Sequence, residues 1–231
     1  MPSGLCADYQ AVVDAVREAA VAAGRDPASV RVLAVSKTFP GSDIAELYRY
    51  GCRMFGESRV QELLEKAASL PADIEWHLIG QLQANKVRKA LSCAALIHSV
   101  DSAPLMERLD RIAEEEDRHP GFLIEVNVSG ETSKSGCSPE LLPELALRAA
   151  SCRRIRWRGL MTMAPEGASE ALQHEIFGAL RRMRDDLAKR SGLALPELSM
   201  GMSGDWRIAV EEGATIVRIG SAIFGRRARP V

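Results

Sequence analysis

The sequence predicts an α/β fold, a (β/α)8 TIM barrel with one extra helix at its N-terminus. Three observations predict it. Short runs rich in Val, Leu and Ile alternate with stretches of helical periodicity along the whole chain. Counting gives about eight such runs, and strands that alternate with helices form parallel sheets through right-handed crossovers. The chain has 231 residues, a length that suits eight such units closed into a barrel. A doubly wound open sheet is the alternative, but no G-x-G-x-x-G follows the first strand. No repeat, low-complexity stretch or linker interrupts the pattern, so residues 1–231 read as a single domain.

The elements follow in order. A helix spans about Ala7 to Ala23, with Val12, Val13, Val16, Ala19 and Ala20 on one face and Gly24 as its stop. Val32–Ser36 is the first strand, followed by a helix at Asp43–Tyr50 that Gly51 ends. Arg53–Phe55 is a strand and Ser58–Ser69 a helix, broken by Pro71. Ile74–Ile79 is a strand, Ala84–Ser92 a helix and Ala95–Val100 a strand. Ser102 is placed to cap a helix whose apolar face is Leu105, Leu109, Ile112 and Ala113. Phe122–Val128 is a strand, Pro139–Ser151 a helix and Ile155–Met161 a strand. Ser169 caps a long helix carrying Leu172, Ile176, Leu180, Met183 and Leu187, closed by Gly192. Glu197–Ser199 is a short strand, Asp205–Glu212 a helix and Thr215–Ile219 the last strand, with a helical turn near Ser221.

Composition narrows the function. Apolar residues make up 46% and charged residues 26%, the balance of a globular domain. The net charge is −1 and aromatics are 5%, so neither a basic stripe nor a base-stacking platform argues for nucleic acid. No apolar stretch approaches the ~20 residues that span a bilayer. The first residues, Met1 to Leu5, lack the pattern of a secretory signal. Five cysteines (Cys6, Cys52, Cys93, Cys137, Cys152) are widely spaced and form no C-x-x-C pair, which reads as reduced thiols in the cytoplasm.

In such a barrel, function sits at the C-terminal ends of the strands. Lys37 stands at the end of the first. An ammonium reaching out into water is its plainer reading; an amine used in a Schiff base is the other. Ser199-Met200-Gly201-Met202-Ser203-Gly204-Asp205 leaves the seventh strand, and Val217-Arg218-Ile219-Gly220-Ser221 leaves the eighth. Small and hydroxyl residues at helix starts suit an anion, and these two loops are the frequent phosphate site of the fold. Ordinary turn chemistry, with Ser203 and Ser221 as plain N-caps, is the alternative. Strand 1 neighbours strand 8 in a closed barrel, so a phosphorylated aldehyde or ketone fits between amine and phosphate loops. Arg218 points to the same face as Gly220, toward a ring nitrogen or the phosphate, with a structural ion pair as the alternative. His77 and His98 read as satisfied polar histidines, Glu57 as a first-turn helix acid, and Asn127 as a supporting group or turn former. Ser133-Lys134-Ser135-Gly136 reads as a flexible loop and Glu114–Asp117 as a solvated helix face.

These residues match a known family. The chain resembles the pyridoxal 5′-phosphate (PLP) homeostasis proteins, of the alanine-racemase N-terminal-domain type. The matching stretches include Ala34-Val35-Ser36-Lys37, Phe55-Gly56-Glu57, Trp76-His77-Leu78-Ile79-Gly80, His98-Ser99-Val100-Asp101 and Val126-Asn127-Val128. They continue with Arg158-Gly159-Leu160-Met161, Leu198 to Ser203 and Val217 to Gly225, in order over nearly the whole chain. The resemblance implies a (β/α)8 barrel with PLP as a Schiff base on Lys37. It implies phosphate contacts from Ser203, Gly220 and Ser221, with Ser199 and Gly201 as further candidates, and places Arg218 near the pyridine nitrogen. Two departures stand out: Ser58-Arg59 replaces the usual Asn-Tyr after Phe-Gly-Glu, and Gln81 replaces a Pro before Leu-Gln.

An Arg beside the pyridine nitrogen disfavours its protonation and weakens the cofactor as an electron sink. Racemisation also needs two bases on opposite faces of the substrate carbon. The related racemases draw the second, a Tyr, from a β-domain across a dimer interface. This sequence runs only to Val231, and Tyr9, Tyr48 and Tyr50 sit in the first and second helices. The expectation is therefore a monomeric, cytoplasmic, non-enzymatic PLP carrier, with apo PLP-dependent enzymes as candidate recipients. An amino-acid racemase or other PLP enzyme is the first alternative, and an aldolase-like barrel the second.

Overall fold

Eight parallel strands close into a barrel, each hydrogen-bonded to its neighbours in sequence order, in this computed structural model. The structure describes residues 3–132 and 134–225. Ser133 of the loop named above lies outside them, as do Met1, Pro2 and Val231. The strands are β1 (Arg31–Val35), β2 (Met54–Glu57), β3 (Glu75–Leu78), β4 (Ala94–Val100), β5 (Gly121–Glu125), β6 (Arg156–Met161), β7 (Glu197–Met202) and β8 (Ile216–Ile219). Between them run α2 (Gly41–Tyr50), α3 (Val60–Ser69), α4 (Val87–Leu91), α5 (Ala103–Glu115), α6 (Leu142–Ser151), α7 (Glu170–Ser191) and α8 (Trp206–Glu211); α1 (Gly4–Ala22) precedes the barrel and α9 (Ser221–Phe224) follows it.

Closure is made by β1 against β8, with Leu33 opposite Arg218 and Ala34 opposite Ile219. Successive side chains alternate between lumen and shell. Leu33, Leu96, Leu123, Met161 and Ile216 form a core inside the barrel, with Met54, Ile79 and Met163 packed on it. Their neighbours Val32, Ala34, Phe122 and Leu160 face outward into the larger core beneath the helices. The helix α9 has only four residues, too few to cover its side of the barrel. The extra helix α1 fills that place, packing on α9, α8 and α2. This is the physical reason the barrel carries a leading helix.

The differences from expectation are local. The β7 strand continues to Met202 instead of stopping at Ser199. Its pairing with β8 shifts between Ser199 and Met202, and Gly201 adopts φ +91°. A bulge thus carries the strand through a Ser/Gly run that reads as loop. The β5 strand ends at Glu125 because Asn127 folds the chain over: its Oδ1 accepts from the Gly130 N–H and its Nδ2 donates to the Glu131 carbonyl. Ser102 occupies the N-cap of α5, but its side chain makes no capping bond. Ser169 does cap α7, accepting from the Leu172 N–H, and Gly192 ends that helix at φ +69°.

Candidate functional site

All eight strands run the same way, so their C-terminal ends share one face, the mouth. A cavity of about 890 Å³ opens there. Lys37, Ser203, Arg218, Gly220 and Ser221 line it together. Ser199 and Gly201 do not. Ser199 is fully buried beneath, where its Oγ accepts from Arg218 Nη1 at 2.7 Å. Gly201 faces α8, where an added Cβ would lie 2.6 Å from the Ala209 methyl.

Lys37 follows β1 in a tight turn and is half-buried. Thr38 stands at φ +73°, a conformation strained for a β-branched residue. The turn is held from behind. The Thr38 N–H donates to Glu62 at 2.6 Å, and Lys66 Nζ donates to the Ser36 carbonyl, Glu57 and Glu62 at 2.9, 2.7 and 2.7 Å. Glu57 also accepts from the Ser36 hydroxyl at 2.6 Å. It ends β2 and is wholly buried, so it is not the first-turn acid of α3 that the sequence suggests. Burial pushes its pKa up despite the Lys66 ammonium. The sequence signal was faint: Glu62 and Lys66 fall four residues apart on α3, but only the fold brings them with Glu57 to the Lys37 turn. On the other side Phe39 stacks on Phe224 with ring centroids 4.9 Å apart, tying that turn to α9.

Beside β1 lie the two Gly/Ser loops. Neither Ser203 nor Ser221 is an N-cap: Asp205 precedes α8 and Gly220 precedes α9. Gly220 packs closely on strand β1, where a Cβ would sit 3.2 Å from the Val35 carbonyl oxygen. Asp205 Oδ1 accepts from the Met202 N–H at 2.6 Å and pins the turn through Ser203 and Gly204. Helix-start N–H groups lack partners within their own helix and favour an anion.

Arg218 closes the floor of the cavity and is only 4% exposed. Besides Ser199 it donates through Nη2 to the Thr162 carbonyl at 3.0 Å. No carboxylate grips it in an ion pair, so the structural ion pair that the sequence left open does not form among the described residues. Burial lowers its pKa to about 10, with Asp205 and Glu125 opposing, so it stays a cation at neutral pH. Glu125, which sequence reading passed over, is buried at the end of β5. Burial and then the charge of Asp101 push its pKa up to about 7. Ser58, at the departure from the family pattern, lines the cavity, whereas Arg59 precedes α3 without a capping bond. His77 and His98 are satisfied, by each other, at 2.9 Å. The three tyrosines lie elsewhere: Tyr9 packs edge-on against Tyr50, and Tyr48 donates to Asp73.

The donor set suits a phosphorylated aldehyde on a heteroaromatic ring. An amine, a buried guanidinium and a glycine-lined anion cup face one space, and the cup packs closely on β1 at Gly220.

A family model described as alanine racemase, N-terminal domain, matches residues 8–228. The pyridoxal phosphate homeostasis protein of Pseudomonas aeruginosa is 47% identical over 92% of this chain and 91% of its own. That of Aquifex aeolicus is 41% identical over 96% and 98%. PipY of Synechococcus elongatus is 42% identical over 91% of this chain and 100% of its own; its structure without PLP superposes at TM-score 0.84, and the one with PLP bound at 0.78.

Proposed function

The chain belongs to the pyridoxal phosphate homeostasis protein family, and on that footing we propose that it binds PLP at the barrel mouth, stores it and releases it to other proteins. When bound, PLP supplies an electrophilic aldehyde and an electron-withdrawing ring. Lys37 is the amine that holds the aldehyde covalently. Ser203, Gly220 and Ser221 receive the phosphate, while Gly201 shapes the loop behind them. Ser199 acts through Arg218, not on the phosphate. The whole chain is read as one PLP-binding domain.

Arg218 carries the choice of carrier over catalyst. It lines the cavity as a buried, hydrogen-bonded cation. A cation facing the pyridine nitrogen opposes ring protonation and so opposes carbanion formation at a bound amino acid. No tyrosine lines the cavity as an opposing base. The named relatives are homeostasis proteins, consistent with a non-enzymatic role. Recipients are apo PLP-dependent enzymes, and the working state is a monomer in the cytoplasm. The five cysteines are free thiols, in keeping with a reducing compartment. No helix among the described residues is long and apolar enough to cross a membrane.

Purified protein tests the proposal. Incubated with PLP, it should turn yellow and retain the cofactor after borohydride reduction, and Lys37→Ala should do neither. With D- or L-alanine it should racemise no faster than free PLP. A colourless wild type overturns the binding; turnover well above free PLP overturns the carrier role.

A further inference from the structure

A polar thread crosses the lumen from floor to mouth. It starts at Glu75, at the N-terminal end of β3, whose side chain is 42% exposed. Glu75 Oε1 lies 3.0 Å from His77 Nε2; His77 Nδ1 lies 2.9 Å from His98 Nε2; His98 Nδ1 lies 2.9 Å from Ser199 Oγ. Ser199 Oγ then meets Arg218 Nη1 at 2.7 Å. His77, His98, Ser199 and Arg218 are all buried.

The chemistry of the two ends dictates every proton between them. Arginine only donates and a carboxylate only accepts. Ser199 therefore accepts from Arg218 and has one hydrogen to give, to His98 Nδ1. A neutral His98 then carries its proton on Nε2 and donates to His77 Nδ1. His77 in turn carries its proton on Nε2 and donates to Glu75. Five groups make four bonds with every donor pointing toward the floor. An extra proton entering at His77 reverses the bonds above it. Both imidazoles then donate upward, and the Ser199 hydroxyl hydrogen loses its acceptor.

We propose that Glu75, His77 and His98 are positioning residues for the cofactor site: the thread fixes Ser199 as an acceptor, Ser199 fixes Arg218, and Glu75 is a proton port on the opposite face of the barrel. This rests on the reading of the mouth as a PLP site with Arg218 at the pyridine nitrogen. The surroundings hold His98 in its neutral form. Burial first, then His77, Arg218 and Arg31, hold His98 well below the usual histidine range. The bond from His77 is the main cause holding Glu75 below the usual carboxylate range, aided by Arg31 of β1 and Arg158 of β6. Those two arginines share Glu197 of β7 at 2.6 and 3.6 Å. At the upper end Glu125 of β5 and Asp205 beyond β7 face Arg218.

Two measurements test it. In protein stripped of cofactor, nitrogen NMR of labelled histidine should show both His77 and His98 protonated on Nε2 alone at mildly alkaline pH. Either ring protonated on Nδ1 overturns the thread. In PLP-loaded protein, Glu75→Gln should lower the pH midpoint of the bound cofactor's visible band. A weaker Ser199 acceptor leaves more of the Arg218 charge on the ring. The protonation ratio at the wild-type midpoint should change about threefold. His98→Phe should act in the same direction, and His98→Gln, which can still accept from Ser199 and donate to His77, should restore the midpoint. Coloured Glu75→Gln protein with an unmoved midpoint overturns the coupling, even if His98→Phe fails to fold. A wild type that never takes up PLP instead overturns the cofactor reading, and the NMR result still judges the thread.

Discussion

At the floor of the barrel, Arg31 and Arg158 converge on Glu197, whose second oxygen accepts from the Thr215 hydroxyl at 2.8 Å. The two arginine side chains are 40% and 45% exposed, so water shares the load. At the mouth, Lys66 bridges Glu57 and Glu62 with its own side chain only 9% exposed and Glu57 fully enclosed. One Glu57 oxygen, Oε2, has no hydrogen-bond partner among the described residues. Both clusters join strands to their surroundings, but only the second is costly. Unpaired oxygen, strained Thr38, and raised Glu57, Glu125 and Asp205 all gather at the strand ends that line the cavity. A fold keeps such features where they position something.

The largest expected effect breaks that contrast directly. Lys66→Met should cost about 3–5 kcal/mol, because two carboxylates lose a buried partner. Arg158→Met at the floor should cost less than about 1 kcal/mol, as exposed ion pairs do. Urea unfolding of the two variants measures both; equal losses would erase the distinction between the two ends.

Gly201→Ala comes next. The new methyl would meet Ala209 Cβ at 2.6 Å and the Trp206 backbone at 2.9 Å, at a φ of +91°. About 2 kcal/mol of stability should be lost, together with PLP retention, since the strain falls on the turn before Ser203. Thermal unfolding and cofactor dialysis read the two effects separately.

The pH dependence sharpens the contrast from the thread. His98 is held neutral in the folded state, so the unfolded chain binds more protons below its ordinary value of 6.5. Stability is therefore complete above that pH and falls below it, by up to about 1.4 kcal/mol per pH unit. Glu125 has the opposite sign. Its folded pKa of about 7 exceeds the ordinary 4.5, so the folded state loses stability as pH rises between them. His98→Gln should flatten the acid limb, and Glu125→Gln should make the protein more stable than wild type above pH 7. Between pH 4.5 and 6.5 the two slopes oppose and offset each other in the wild type, so denaturant midpoints of the single variants separate them. Stability should fall with rising pH there in His98→Gln and rise in Glu125→Gln, and a variant profile parallel to wild type would contradict that assignment.

Particular residues show how far the sequence carries. Strand count, barrel order and the Lys37, Ser203, Gly220, Ser221 and Arg218 lining were legible, because hydrophobic alternation and loop composition are local. The roles of Ser199 and Glu57 were not. Ser199 lies where β7 begins to bulge, and one residue of register decides whether a hydroxyl faces phosphate or arginine. His77 and His98 looked merely satisfied. Their partnership joins neighbouring strands 21 residues apart, and its meaning depends on Ser199, a further 101 residues along.

The smallest expected effect compares two residues with positive φ. Asp117, at φ +49° before β5, and Thr38, at φ +73° after β1, are the non-glycine residues so placed among those described. Aspartate tolerates that region; a β-branched threonine does not. Glycine at either site removes steric strain but gives the unfolded chain more freedom, about 0.5–1 kcal/mol against folding. Asp117→Gly should therefore be slightly destabilising and leave PLP binding untouched. Thr38→Gly should be near neutral, because about 1 kcal/mol of relieved strain offsets the entropy. Its consequence should appear in function. The turn that aims Lys37 becomes free to relax, so PLP should pass to a competing apo-enzyme faster than from wild type. Transfer kinetics decide it: if Thr38→Gly releases PLP at the wild-type rate, the strain at the mouth is a local accident of the chain and not part of how the cofactor is held.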